Sequence, residues 1–461
     1  MTERLRRRSL AHVGVVFLFV ACTFTYYGQL HRTQSGDVYG TVYTAVALVE
    51  KQTIWLDDYL PYIQERSGES PYMLTTSSSG HVVTATPTAS SALAVPAIAL
   101  FALAGVHAGD FGAWLEAGML TAALAAAATV ALLFVLLTRL TSRPRAFLVC
   151  ATYAWGTIAW GVNGQALWQH GGVALALTVA LLSLVDRRLV IAGAALTAMA
   201  AFRLSTPFIA ICLLPLVGRR PGDWARFLLG ALPLPLVLGA YNLVAFGSPL
   251  KQGYGTGQVT SALHASGRVF EGIPGLLIAP GRGLFVYSPV LLFAVAGVIR
   301  GRRVGLYRAC AVAIVVYVLV TANVDKWYGG ESFGARKLGD VLPLFAVLLV
   351  PALDLLARPV WRAIFALTLA WSVLVEVLAA AAWPPGDWFG THDLTKFSTW
   401  WNPWDNEVYD MLTSGSTWPK VALMMSIAAG GVIVAAVAQW SWSSIIGRPS
   451  VNRSLPAQPG S

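Results

Sequence analysis

Apolar runs of about 20 residues recur from one end of this chain to the other, a length matched to the hydrocarbon thickness of a bilayer. Where no water reaches the backbone, its N–H and C=O groups must be paired within each segment, so such runs read as helices. A membrane barrel would need short segments of alternating hydrophobicity, and the sequence has none. With 56% hydrophobic and 12% charged residues over 461 positions, the chain is expected to be an all-α, polytopic transmembrane helical bundle.

The net charge of +10 sits in short clusters between the apolar runs: Arg4 to Arg8, Arg139 to Arg145, Arg187 and Arg188, Arg219 and Arg220, Arg300 to Arg303, and Arg358 to Arg362. That is the positive-inside pattern of cytoplasmic loops, and with no long basic face it argues against nucleic acid as a partner. The apolar stretch 11–27 behind the first cluster lacks a small-residue cleavage site and reads as a retained anchor with its N-terminus in the cytoplasm. Cys22, Cys150, Cys212 and Cys310 each fall inside an apolar run without CxxC spacing, as small core residues do.

If the first helix runs outward, residues 31–86 form a long external loop. In it Tyr39, Val42, Tyr43, Val46 and Val49 recur at helical spacing, the pattern of a helix lying on the membrane surface. Counting back from Arg139 leaves room for one crossing, assigned to 113–137, so 89–104 is expected to be re-entrant or surface-lying. Further spans are expected at 146–160, 172–185, a hairpin over 189–217 turning near Arg203, 227–246, 284–299, 305–321, 339–356, 363–382 and 421–440. The total is about twelve crossings. Residues 1–440 then make one transmembrane domain with further external loops at 247–282, 323–338 and 383–418. Residues 441–461, rich in Pro, Ser and Arg, read as a disordered cytoplasmic tail. No internal repeat or inverted pair of halves is visible, which weakens a secondary-transporter reading.

On this topology the unusual polar and aromatic residues gather on the external face, as a site there requires. Asp37, after Gly36 and two residues before Tyr39, could be a general base at the membrane surface or an N-cap of the helix that follows. Arg203 interrupts an apolar run. A cation there must face a cavity, a phosphate or a carboxylate such as Glu116 or Glu376. The run from Lys326 to Lys337 combines Trp327, Tyr328, Gly329 and Gly330 with Arg336 and Lys337: rings that can stack on sugars, backbone that can approach a ligand, and cations that can hold phosphate. Arg282, in Pro280-Gly281-Arg282-Gly283, is either another phosphate contact or an interfacial anchor. His170, following Trp168, reads as a hydrogen-bonding partner, since no paired His or carboxylate spacing suggests a metal site. The glycine run 253–257 lacks the Lys-Ser/Thr of a phosphate-binding loop.

Taken in order, these segments resemble a known architecture. The N-terminal helix, an Asp in a long first external loop, the stretch from His81 to Pro96, and the hairpin Gly193-Ala-Ala-Leu-Thr-Ala-Met-Ala-Ala-Phe-Arg203 are similar to polyprenyl-phosphate-sugar-dependent GT-C glycosyltransferases. The Trp168-Gln169-His170 run, Tyr241-Asn242 with Phe246-Gly247-Ser248-Pro249, Arg282 with Ser288-Pro289, and Trp327-Tyr328-Gly329-Gly330 with Gly334-Ala335-Arg336 resemble a bacterial membrane branch of them. The likeness spans about residues 10–360 and rests on the order of many weak motifs.

It implies a multi-pass plasma-membrane enzyme taking sugar from a polyprenyl-phosphate carrier at the external face and giving it to an envelope glycan, glycolipid or protein. It further implies Asp37 as base, Arg203 on the carrier phosphate, and Arg336 and Lys337 as additional clamps, with Trp327 and Tyr328 near sugar or lipid. No cofactor is implied beyond the lipid-linked donor. Many such enzymes carry a paired acidic motif in the first loop, whereas here Val38 follows Asp37, which speaks against a metal-dependent two-carboxylate scheme. The competing readings are a transporter or flippase for a lipid-linked sugar and a non-catalytic component of an envelope complex.

Overall fold

The computed structural model describes residues 2–30, 35–253, 268–384 and 388–445, with side chains described from 14 to 435 within those ranges. The side chains of Arg4 to Arg8, most of the 253–257 glycine run and the tail from 446 lie outside the described residues. The chain is mostly helical: α1 (Thr2–Tyr27), α2 (Tyr39–Glu50), α3 (Leu60–Ser67), a hairpin of β1 (Leu74–Thr76) and β2 (Val82–Thr84), α4 (Ala89–Leu103), α5 (Phe111–Leu140), α6 (Arg143–Trp155), α7 (Gln169–Val185), α8 (Leu189–Phe202), α9 (Pro207–Leu213), α10 (Pro221–Ala231), α11 (Pro233–Phe246), α12 (Val269–Ile278), α13 (Leu292–Gly301), α14 (Gly305–Ala322), α15 (Leu342–Ala352), α16 (Pro359–Ala382), α17 (Glu407–Thr413) and α18 (Thr417–Ile445).

Among the described residues, six helical stretches are long and apolar enough to cross a membrane: Phe111–Leu140, Pro221–Phe246, Gly305–Ala322, Arg336–Ala357, Pro359–Ala382 and Thr417–Ala435. All six coincide with spans expected from the sequence. Other expected spans are shorter or broken. The run 146–160 ends as helix at Trp155 and continues into a π-helical turn, Ala159–Asn163, and 284–299 is interrupted before Leu292.

Burial separates a central helix from a peripheral one. The apolar window of α5 is 72% buried, its Ala117, Ala123, Ala126 and Ala127 letting neighbours approach, whereas the window across α10 and α11 is only 22% buried. The latter leaves Leu229, Leu236 and Val237 facing outward, as lipid contact requires. Small residues set the closest crossing: a Cβ on Gly193 of α8 would lie 2.1 Å from the Phe227 carbonyl, and one on Gly230 of α10 1.8 Å from the Val190 carbonyl. The three fully buried cysteines, Cys22, Cys150 and Cys310, are free thiols, and Cys212 is half-buried.

The helix expected at Tyr39 exists, but its apolar face does not lie on a membrane surface. Tyr39, Val42, Tyr43 and Val46 are buried, with Phe111 of α5 against the two tyrosine rings. Helical periodicity marks an apolar face and is silent on what covers it. α4 is tied to α2 at both flanks: Thr86, before its start, bonds Thr41 at 2.9 Å, and the Ala108 carbonyl, after its end, accepts from the Tyr43 hydroxyl at 3.1 Å.

Candidate functional site

A cavity of about 1190 Å³ opens where the turn before α2, the start of α7, the end of α8 and the loop before α15 converge. Asp37, His170, Arg203, Tyr328, Arg336 and Lys337 all line it. Residues separated by up to three hundred positions in sequence thus share one chamber.

On one wall, Asp37 sits in the 3-10 turn Gly36–Val38. It does not cap α2: the N-cap position is Val38. Its Oδ1 accepts from the Tyr72 hydroxyl at 2.6 Å and its Oδ2 from Arg336 at 2.9 Å. Burial alone would raise this carboxyl, but Arg336 and Tyr72 outweigh it and hold Asp37 below the ordinary carboxylate range. The group is therefore ionised through neutral pH.

On a second wall, α8 stops at Phe202 because Arg203 turns extended, and Pro207 pre-sets the first turn of α9. The expected hairpin thus turns at Arg203. The Arg203 side chain neither projects alone nor pairs with Glu116 or Glu376. Its Nε lies 3.2 Å from Asp340 and 3.0 Å from the Ser205 hydroxyl. Glu116 instead accepts from the Tyr27 hydroxyl, and Glu376 from the backbone N–H of Gly161. Fully buried Asp340 also meets His170 Nδ1 at 2.8 Å and accepts from the Tyr317 hydroxyl. His170 is thus a hydrogen-bonding partner, its ring beside the Arg203 guanidinium.

The third wall is the loop before α15. Gly329 and Gly330 take φ of +87° and +72°, a backbone that side chains resist. The turn they make aims the Gly329 carbonyl at Arg336 and the Gly330 carbonyl at Arg282, both at 2.8 Å. Arg336 also lies 5.0 Å over the Trp168 ring, a cation–π contact. Lys337 differs from its neighbours: among the described residues its ammonium has neither hydrogen-bond nor ion-pair partner, while Arg203 and Arg336 both add positive charge around it. Five cations and three carboxylates line the cavity. With Asp37 committed to Arg336, cations outnumber carboxylates on the lining around Lys337.

Arg282 and Trp327 do not line this cavity, and for them the ligand-contact expectation is corrected. Arg282 is fully buried, 3.5 Å from Glu407 and 4.4 Å from the Trp400 ring centre. It props the glycine turn from behind. Trp327 is buried in a cluster with Tyr328, Phe397 and Trp400, where its large apolar ring is worth more to packing than to a ligand.

Sequence reasoning missed Asp340, Tyr317 and Tyr72. A signal for Asp340 existed, since an ionisable residue opening an apolar span needs a partner. Tyr72 carries none, because nothing local links residue 72 to residue 37. Among the described residues no three His, Cys, Asp or Glu side chains are placed to hold a metal. No protein-family model matches the chain, and no curated protein does.

Proposed function

We propose that this protein is a GT-C-like membrane glycosyltransferase of about twelve crossings, moving a sugar from a polyprenyl-phosphate carrier to an envelope glycan, glycolipid or protein at the external face. The observation that carries the reading is the unpartnered Lys337 ammonium, flanked by Arg203 and Arg336, in the same cavity as the ionised Asp37. A lysine beside two guanidinium groups, facing a cavity with no partner of its own, favours an anion that enters there.

In this reaction the acceptor hydroxyl gives its proton to Asp37 as its oxygen bonds the anomeric carbon. The anomeric carbon–phosphate oxygen bond breaks, with inversion, and its electron pair leaves on the carrier phosphate. Lys337, with Arg203 behind it, stabilises the charge that develops there. A lipid phosphate is already a good leaving group, so positioning, a base and cations are what the protein must add. Tyr328 and Trp168 line the cavity where the sugar would sit.

The test is transfer of labelled sugar from polyprenyl phosphate by the purified full-length chain, with the donor sugar chosen from envelope glycans altered in a deletion strain. Asp37→Ala should lower turnover about 10²- to 10⁴-fold with donor still bound. Transfer that survives in Asp37→Ala removes the base. Lipid-linked sugar crossing proteoliposomes, with no transfer, would favour a flippase.

A further inference from the structure

Asp37 is held in a form that makes it a weak base. One carboxylate oxygen accepts from the Tyr72 hydroxyl and the other from the Arg336 guanidinium; each keeps a lone pair, but the ion pair with Arg336 weakens the hold of the carboxylate on an acceptor's proton. Tyr72 is the more exposed of the two donors. Arg336 is the harder contact: it is largely buried, it also donates to the Gly329 carbonyl, and it lies over Trp168. Yet its Nε is buried with no partner, and the next residue in the chain is the unpaired Lys337. An anion drawn to Lys337 therefore arrives beside a guanidinium with an unused donor. Guanidinium groups bind phosphate through two parallel hydrogen bonds, a geometry that a single Asp37 oxygen does not supply.

We propose that Arg336 exchanges partners, leaving Asp37 for the phosphate of the incoming donor, so that filling the phosphate site is what frees the base. This rests on the reading of the cavity as a phosphate site and adds an order to it: donor first, base second. Arg336 is in this scheme a positioning residue for Asp37 that becomes a phosphate ligand. The chemistry recognised is a phosphate monoanion or dianion, which a lipid carrier or free phosphate could both bring.

Calorimetry on the full-length chain in detergent tests this with two probes, farnesyl phosphate and inorganic phosphate. With Asp37 competing for Arg336, Asp37→Asn should tighten phosphate binding about tenfold, and Asp37→Ser should move it the same way. In an Arg336→Gln background the Asp37→Asn gain should vanish, because it runs through Arg336. A gain retained in that background means that Asp37 only repels the anion across the cavity, and it overturns the exchange. Unchanged or weaker binding in both Asp37 variants also overturns it. If neither probe binds the wild-type chain, or Lys337→Ala binds as well as wild type, the phosphate reading fails and takes the exchange with it. When the pattern holds, tighter binding of farnesyl phosphate than of inorganic phosphate identifies the source as lipid, and equal binding identifies it as free phosphate.

Discussion

Two arginine–carboxylate pairs grip the same glycine turn from opposite sides. Arg282 takes the Gly330 carbonyl and faces Glu407, with both side chains fully buried; Arg336 takes the Gly329 carbonyl and faces Asp37, with 15% and 31% of those side chains exposed. Glu407 is saturated, also accepting from the Tyr287 hydroxyl, the Trp383 indole and the Gly334 backbone. Asp37 is held by two donors at the edge of a chamber. Each pair joins an arginine to a carboxylate, and burial makes one a strut and leaves the other free to open. A fully desolvated pair cannot release a partner without stranding a charge, whereas a pair facing a cavity can trade one anion for another.

The largest effect should come from breaking the strut. Glu407→Ala leaves the Arg282 charge uncompensated and removes a carboxylate acceptor from Tyr287 and Trp383, and it should cost about 3–5 kcal/mol in thermal unfolding of the detergent-solubilised chain. An apolar double replacement, Arg282→Met with Glu407→Leu, should recover most of that loss; if it does not, the pair does more than support the turn. Next comes Asp340, the fully buried carboxylate shared by Arg203, His170 and Tyr317. Asp340→Asn should cost about 1.5–3 kcal/mol, measured the same way, and a smaller loss would place this pair nearer the exchangeable one.

Asp37→Asn should change stability at neutral pH by within about 1 kcal/mol, because its pair is part-exposed. The pH dependence sharpens the point. With its folded pKa depressed, Asp37 contributes stability that is fully present above its unfolded value of about 3.9 and is lost as pH falls through the lower folded one. Unfolding followed from pH 6 downward should therefore show an acid loss that Asp37→Asn partly removes.

The smallest effect has the opposite sign. His392 stacks on Trp388 and bonds Asp405 at 3.0 Å in the loop that roofs the cavity. Burial lowers its pKa, but the Asp405 hydrogen bond outweighs that and raises it. Its contribution is present below its unfolded value of about 6.5 and fades as pH rises through the folded one. His392→Asn should be less stable than wild type near pH 5.5 and equal to it near pH 8.5, by under about 1 kcal/mol since the pair is exposed.

Much of the site was legible before any coordinates. Arg203 announced itself because a cation inside an apolar run demands a partner, and Asp37, Arg336 and Lys337 because charges in a chain this apolar cluster where function is. What local reasoning could not reach was pairing. Glu116 and Glu376 were reasonable partners for Arg203 by depth, yet Asp340, 137 positions along the chain, is the one in contact. Arg282 and Trp327 looked like ligand contacts because glycines, aromatics and cations appear alike in a binding loop and in the packing beneath it.

The sequence by itself determined that the chain is a helical membrane protein, because hydrocarbon tolerates no unpaired backbone and apolar length alone sets what can cross. It also determined where the six longest spans run. Only the tertiary structure decided which charges meet. It turned Arg282 inward onto Glu407, divided Asp37 between Tyr72 and Arg336, and left Lys337 with no partner among the described residues. The physical reason is range: hydropathy is a property of neighbours along the chain, while an ion pair is settled by distances of a few ångströms between segments whose separation in sequence carries no information about them.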